Sequence, residues 1–432
     1  MIADARGLEL SDADRNEVEA INHFTSRLLR LQNGVEEILT AAERSPSSPM
    51  VRLLAGAFCL FGQTNPSVAA GAEHLAAVDL QAANERQRML HAALTFWARS
   101  EFLRAVEVLE DLTSRWAADL LSAKFAEFLY YVLGQQHMGA RFRAHMERIR
   151  PANADDPDFL GMEAFAAELC GDFDVAEAAA ERSLSIEPRN AWAQHALSHV
   201  LIRQGRVEEG KARMAAFLPE LENCQRLIHS HDAWHLALLH LEEMNADAAL
   251  EIHRRHVWGF APDLVGEQID AIALLWRMEL AGHPMDAEWG GIADHVEARV
   301  DEAFMPFLSA HHVYALVRAG RGEAAEKCLE TVRERSRRDD EEGRRVWAGA
   351  GRAVVEATAK FAGGDARHAA ELLDPAMPDM TRIGGSDAQD DLFRQTYLRA
   401  LQRSGRRAEA EAYFHRISGE KVRTPLDRAL AE

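Results

Sequence analysis

Histidines are concentrated in this chain at a spacing that suits metal binding or proton transfer. The chain has 19 histidines in 432 residues. His195 and His199 lie four residues apart, as do His231 and His235. On an α-helix this spacing puts both side chains of a pair on one face. Neutral imidazoles share zinc or copper ions, and imidazole also takes up and releases protons near neutral pH. All four are therefore candidate metal ligands.

Aromatic, acidic and amide side chains accompany these pairs in the same helical segments. Catalytic candidates are His195 and His235, with Asp232 or Asp270 as the carboxylates that orient an imidazole. Arg277 is predicted either to pair with a nearby carboxylate or to clamp a ligand carboxylate. The predicted ligand-binding set is Trp192, His195, His199, His231, Trp234, His235, Gln268, Asp270, Trp276, Arg277, His311 and His312.

Three interpretations of this set remain open. The imidazoles can be structural, hydrogen-bonded to carboxylates and carbonyl groups in the protein interior. They can line a groove for a peptide or small molecule. They can hold a divalent metal ion, although HExxH is absent from the sequence and the four cysteines are widely spaced. No cofactor is otherwise indicated.

The elements that position these residues are predicted from turn residues that recur along the chain. In AFAAELCGDFDVAEAAAERSLSIEPRN, Gly171 lies at a turn between two apolar helical patterns, and Gly205 follows 34 residues later. That distance is the period of the tetratricopeptide repeat, a hairpin of two helices. The predicted turns, spaced by 34 to 44 residues, are Gly62, Ser100, Gly134, Gly171, Gly205, Asn245, Gly282, Gly320, Gly364 and Gly405.

The predicted fold is all-α, a right-handed α-α superhelix or solenoid of about ten tetratricopeptide-like hairpins. Degenerate repeats are expected in residues 1–150, regular repeats with the His- and Trp-rich inner face in 151–330, and C-terminal repeats with a cap in 331–432. His195 precedes the turn at Gly205 by ten residues, as His235 precedes Asn245. Equivalent positions of adjacent first helices should therefore project toward a common interior.

Composition restricts the partners. The net charge is −20 and the pI is about 5.4, which disfavours nucleic acid and anionic membranes. The sequence contains neither an apolar run long enough to span a bilayer nor a signal peptide pattern, so we expect a cytoplasmic protein with reduced cysteines. A homodimer is an open alternative.

Several segments resemble the tetratricopeptide repeat protein 38 family. They are NAWAQHALSHVLIRQGRVEEG, HDAWHLALLHLEE, IDAIALLWRMELAG, FLSAHHVYALVRAG and GGSDAQDDLFRQTYLRAL, which together span about residues 155–415. The resemblance implies the helical-repeat fold but no settled reaction. The resemblance also implies that Asp387 and Gln389 belong to the pattern of residues that this family shares. This chain has Asp232 where the family usually has asparagine, and Ala233 and Leu236 where it has aromatic residues.

Two functions follow as expectations. The first is a binding module whose concave surface, lined by His, Trp and Asp side chains, holds a peptide, a protein or a small ligand. The alternative is an enzyme of small-molecule metabolism with a His/Asp acid–base site or a His–metal site enclosed by the superhelix. An enclosed site would favour the second function, and an open channel would favour the first.

Overall fold

The protein is almost entirely α-helical, as predicted. The computed structural model describes residues 2–11, 13–418 and 423–432, and within them it contains 23 α-helices. A short antiparallel pair, β1 (Ile2–Ala3) with β2 (Glu9–Leu10), lies at the N-terminus and was not predicted. None of the helices in the described residues is long and apolar enough to cross a membrane.

The helices follow one another with short connections along the whole chain. The N-terminal helices are α1 (Arg15–Leu29), α2 (Glu37–Arg44), α3 (Pro49–Leu60), α4 (Asn65–Ala76), α5 (Glu85–Ala98), α6 (Phe102–Arg115), α7 (Leu120–Val132), α8 (Gln135–Asn153), α9 (Pro157–Glu168), α10 (Phe173–Ile186) and α11 (Ala191–Arg203). The remaining helices are α12 (Val207–Phe217), α13 (Arg226–Glu242), α14 (Ala246–Ile252), α15 (Val265–Leu280), α16 (Trp289–Val296), α17 (Pro306–Arg318), α18 (Gly322–Ser336), α19 (Arg352–Ala362), α20 (Ala366–Ala376), α21 (Asp387–Arg403), α22 (Arg407–Ser418) and α23 (Pro425–Ala431). In the described residues, 3-10 segments extend three of the connections, and π-helical turns lie in two others. The 3-10 segments are Leu218–Asn223, Glu297–Arg299 and Met377–Arg382, and the π-helical turns are His253–Val257 and Gly343–Gly351.

Eight of the ten predicted turn residues adopt the left-handed backbone conformation that ends a helix. These eight are Ser100 and seven glycines. The two exceptions are displaced by one residue. Gln63 (φ 56°) takes this conformation instead of Gly62, and Met244 (φ 61°) instead of Asn245. The side chain of Asn245 caps α14 by accepting a hydrogen bond from the Ala248 amide at 3.2 Å, so the left-handed residue is the one before the cap.

The chain divides into two compact units. The first comprises residues 1–133, 138–197 and 223–225, and the second comprises 134–137, 198–222 and 226–432. In the first unit, buried aromatic rings fill the helix crossings. Phe61 packs against Trp97 with ring centroids 5.1 Å apart and against Phe128 at 4.5 Å.

The second unit is closed by its own C-terminal helices. Helices α13, α15, α17 and α19, which begin successive hairpins, pack in order, and α21 packs back against α15. Helix α23 packs against α13, where the Thr424 hydroxyl donates to the Glu242 carboxylate at 2.5 Å. In an open solenoid each repeat contacts only its neighbours. The packing of α21 on α15 is therefore a contact between helices far apart in the chain, which a strictly open array would not make.

A glycine pair lies directly before the Ser386 cap of α21 and allows this segment to pack against α17. Gly384 and Gly385 both have positive φ (102° and 95°), and a Cβ at Gly385 would lie 3.0 Å from the Phe307 ring. The Phe307 amide donates to the Ile383 carbonyl at 3.1 Å, which ties this segment to α17. Ser386 then caps α21 in a reciprocal capping box with Gln389. Only glycine accommodates this backbone path without strain.

Candidate functional site

Three of the four predicted histidine ligands lie together in the second unit. His199 is on α11, and His231 and His235 are one turn apart on α13. The His199 and His235 ring centroids are 4.6 Å apart, and those of His231 and His235 are 4.8 Å apart. Each of the three offers a ring nitrogen within 4.8 Å of the others. We call these three residues the histidine cluster.

Asp270 positions one member of the cluster. Its Oδ1 atom lies 2.7 Å from Nδ1 of His231, and its Oδ2 atom accepts a hydrogen bond from the Ser230 hydroxyl at 3.0 Å. Asp270 is 2% exposed, so this carboxylate is held inside the protein between α13 and α15. Asp270 was predicted as a carboxylate that orients an imidazole, and these two contacts are of the kind that such a residue makes.

Asp387 positions a second member in the same way. Its Oδ1 atom lies 3.1 Å from Nδ1 of His199, and its Oδ2 atom lies 3.3 Å from Nε of Arg203. Burial alone would raise the pKa of Asp387. The hydrogen bond and charge of His199, with the charge of Arg203, nevertheless hold that pKa below its usual value. Asp387 is therefore ionised at neutral pH and accepts a hydrogen bond from Nδ1–H of His199.

Each of these carboxylates has a second buried carboxyl group nearby. Burial and the charge of Asp270 raise the pKa of Asp232 well above its usual value. Burial likewise raises the pKa of Asp390, and the charges of Asp387 and Asp391 add to this effect against that of Arg394. Because like charges in a buried site disfavour ionisation, Asp232 and Asp390 release their protons less readily than exposed aspartates do. Asp232 was also predicted to orient a histidine, and that role stays a prediction.

Trp192 and His195 belong to the first unit. Their rings stack with centroids 4.6 Å apart, and Phe165 packs against both, at 5.2 Å from each. The Trp192 indole donates to Glu127 at 2.9 Å, and the Lys124 ammonium lies 3.5 Å from the centre of the indole ring. In that unit these two predicted ligand-binding residues form an aromatic, charge-paired core.

Three other predicted ligand-binding residues have contacts of a structural kind. The Gln268 amide donates to the Pro262 carbonyl and accepts from Arg299 Nε, both at 2.7 Å. His311 Nδ1 lies 2.8 Å from the Phe307 carbonyl oxygen, and its ring packs against aromatic neighbours. Burial lowers the pKa of His311 and of His312 to about 3, with smaller contributions from Arg277 and Arg299 respectively. Among the described residues, neither belongs to a group of potential metal ligands.

The two predicted tryptophans of the second unit, Trp234 and Trp276, have different aromatic neighbours, and Trp234 also lies against Arg277. Trp234 stacks on His231, with centroids 5.2 Å apart and planes at 15°, and contacts the His235 ring at 4.8 Å. The Arg277 guanidinium lies 5.2 Å from the centre of the Trp234 ring. Trp276 stacks on Tyr314 at 4.0 Å. Burial lowers the pKa of Arg277 to about 10, with the charges of Asp391 and Glu242 opposing, and it remains a cation at neutral pH.

Residue types and spacing alone did not predict Asp387, the carboxylate that holds His199. Asp387 lies 188 residues further along the chain than His199. Only the family resemblance had indicated Asp387 as a residue of interest. Its position as the first residue of a capped helix is a local signal for an acidic residue, not for a histidine partner. Ser230 and Arg203, which hold the outer oxygens of the two carboxylates, were also missed, since a lone serine or arginine on a helix carries no distinctive pattern.

This arrangement has the chemistry of a metal site. Metal-ligating histidines typically donate their second ring N–H to a carboxylate, which fixes the tautomer and the ring orientation. With Nδ1 of His199 and His231 held by aspartates, an ion would be bound through Nε2 of each. Imidazole ligands suit zinc, copper, iron and nickel. No protein-family model matches the chain, and the resemblance described above stays a prediction.

Proposed function

We propose that the second unit binds a divalent transition-metal ion through His199, His231 and His235 and that this centre acts on a small molecule. The observation that carries the proposal is the pair of buried carboxylates on the Nδ1 atoms of His199 and His231. A purely structural histidine needs only one hydrogen-bond partner of any kind. Two independent aspartates that orient clustered imidazoles are the recurrent environment of a metal site.

Burial favours this function over a peptide groove. His199 is 1% exposed and His235 is fully buried, so an extended peptide on the surface of the unit would not contact them. The His231 side chain is 17% exposed, which gives a small ion a short route from solvent. Imidazole nitrogens are the ligands that many tetrahedral zinc sites use.

The residues of this chain supply the rest of the site. Asp270 and Asp387 hold the imidazoles in the tautomer that a metal requires, and each is itself held by a neighbour, Ser230 or Arg203. Asp232 is a buried carboxyl group close enough to Asp270 to sense its charge, and it releases its proton less readily than an exposed aspartate does. A bound ion would supply Lewis-acid activation of a water molecule or a carbonyl group.

The test is metal content of purified full-length protein. Protein stripped with a chelator and then dialysed against zinc should hold about one ion per chain by elemental analysis. His235→Ala and the double variant His199→Ala/His231→Ala should lose it. His368→Ala removes a histidine from an exposed His–Asp pair with Asp365 and should leave the metal content unchanged. The proposal would be wrong if the wild type bound no zinc, or if the wild type and all three variants had equal zinc content.

A further inference from the structure

Arg277 is a buried cation that makes no direct ion pair with a carboxylate among the described residues, and the charges of Asp391 and Glu242 favour its charged form only from a greater distance. It is 4% exposed. Its guanidinium donates to two backbone carbonyls, that of Ala273 at 3.5 Å and that of Ala388 at 2.5 Å. In the part of the chain that the structure describes, no carboxylate lies within 4.0 Å of it. Removing a charge from water without a counter-charge costs several kcal/mol.

Other arginines of the same unit show the usual solution. Arg318 binds the Glu279 carboxylate through both Nε and Nη2. Arg299, 9% exposed, pairs with Glu302 at 3.2 Å and donates to Gln268 and to a backbone carbonyl. A guanidinium has five N–H donors in a planar fork that matches a carboxylate. At Arg277 the protein provides two carbonyl oxygens for this fork.

Two indole groups in the same region add donors. Trp234, which the Arg277 guanidinium overlies, and Trp276, its neighbour in sequence, are both fully buried. Neither indole N–H has a hydrogen-bond acceptor among the described residues. Buried polar groups are nearly always satisfied by protein, water or ligand. Trp234 therefore adds an unsatisfied N–H donor to the surroundings of the Arg277 cation, and an anionic acceptor would suit both groups.

We propose that Arg277 anchors a binding subsite for a small organic carboxylate. A single guanidinium matches a single negative charge, which favours a monocarboxylate over a phosphate ester. The aromatic rings of Trp234 and Trp276 favour an apolar or aromatic body on the ligand. Trp234 also contacts His231 and His235, so the subsite adjoins the histidine cluster. To that extent the inference rests on the proposed function and names its substrate class, whereas carboxylate binding itself needs no metal.

The experiment compares acids with their neutral isosteres on chelator-treated, full-length protein. Acetate, benzoate and phenylacetate are titrated by isothermal calorimetry against acetamide, benzamide and phenylacetamide. At least one acid should bind with one site per chain, and its amide should bind at least about tenfold more weakly. Arg277→Gln should weaken the acid by about 10- to 100-fold, the range expected for charge-assisted hydrogen bonds. Arg299→Gln removes a carboxylate-paired arginine of the same unit and should leave the affinity unchanged.

Several results would contradict a carboxylate subsite at Arg277. Equal affinity for acid and amide, binding of none of the three acids, or tighter binding of inorganic phosphate would overturn the subsite. So would retention of acid binding in a folded Arg277→Gln protein, which would leave Arg277 as a structural anchor for the Ala388 carbonyl. If that variant does not fold, the acid–amide comparison on the wild type still decides. The double variant His199→Ala/His231→Ala separates the two proposals, because it should lose zinc and keep acid binding.

Discussion

Acidification should destabilise the protein through two buried histidines on α17. Burial lowers the pKa of His311 and of His312 to about 3, from an ordinary value of 6.5. The folded chain therefore keeps both rings neutral at pH values where the unfolded chain protonates them. The stability that these residues contribute is complete above pH 6.5 and is lost progressively as the pH falls from 6.5 toward 3.

The size of the effect follows from linkage. Between pH 7.0 and pH 5.5, one histidine with these two pKa values lowers the free energy of unfolding by about 1.3 kcal/mol. His311 and His312 together account for about 2.5 kcal/mol. The buried carboxyl groups Asp232 and Asp390, whose pKa values are raised, act in the opposite direction. The total slope of stability against pH is therefore a sum of opposing contributions, and the contribution of one histidine must be measured by difference.

Urea unfolding of His312→Asn and of the wild type, at pH 7.0 and pH 5.5, isolates this contribution. Far-UV circular dichroism reports the transition, and equal urea dependence in both proteins validates the comparison. The stability gap between the two proteins should be about 1.3 kcal/mol smaller at pH 5.5 than at pH 7.0. The exposed His368→Asn should show no such change. A gap for His312→Asn that does not depend on pH would refute the reasoning, because it would mean that the folded protein already protonates this ring.

Two further predictions concern the metal site and the backbone. Asp270→Asn should lower zinc affinity by about 10- to 100-fold, since it removes the charge that orients His231. Asp365→Asn, at the exposed pair, should not change competition with a chelating dye. Gly134→Ala should destabilise the protein by more than about 2 kcal/mol or shift α8, because the new Cβ would lie 1.9 Å from the Thr381 carbonyl oxygen. Gly282→Ala, which has nearly the same φ and open space around it, should cost only about 1 kcal/mol in thermal or urea unfolding.

The hairpin turns were predictable from sequence because helix endings are local. A helix stops where one residue adopts left-handed φ, and glycine does so without steric cost. The two displaced turns have the same cause, since the left-handed residue precedes whichever side chain caps the next helix. Thr64 and Asn245 cap α4 and α14, which moves the turn to Gln63 and Met244. At these two turns the capping residue of the following helix, and not the nearest glycine or asparagine, indicates where the left-handed residue lies.

The helices, their turns and the pairing of histidines on one helical face could be predicted from local sequence, because each depends on residues within about one turn of one another. The carboxylates that hold these histidines, and the cation that makes no ion pair, are known only from the packing of distant helices. Asp387 reaches His199, and Ala388 reaches Arg277, because a glycine pair and the packing of α21 on α15 bring the C-terminal part of the chain back into the second unit. Contacts between residues more than a hundred positions apart leave no periodic pattern in a sequence, and they depend on how whole helices pack.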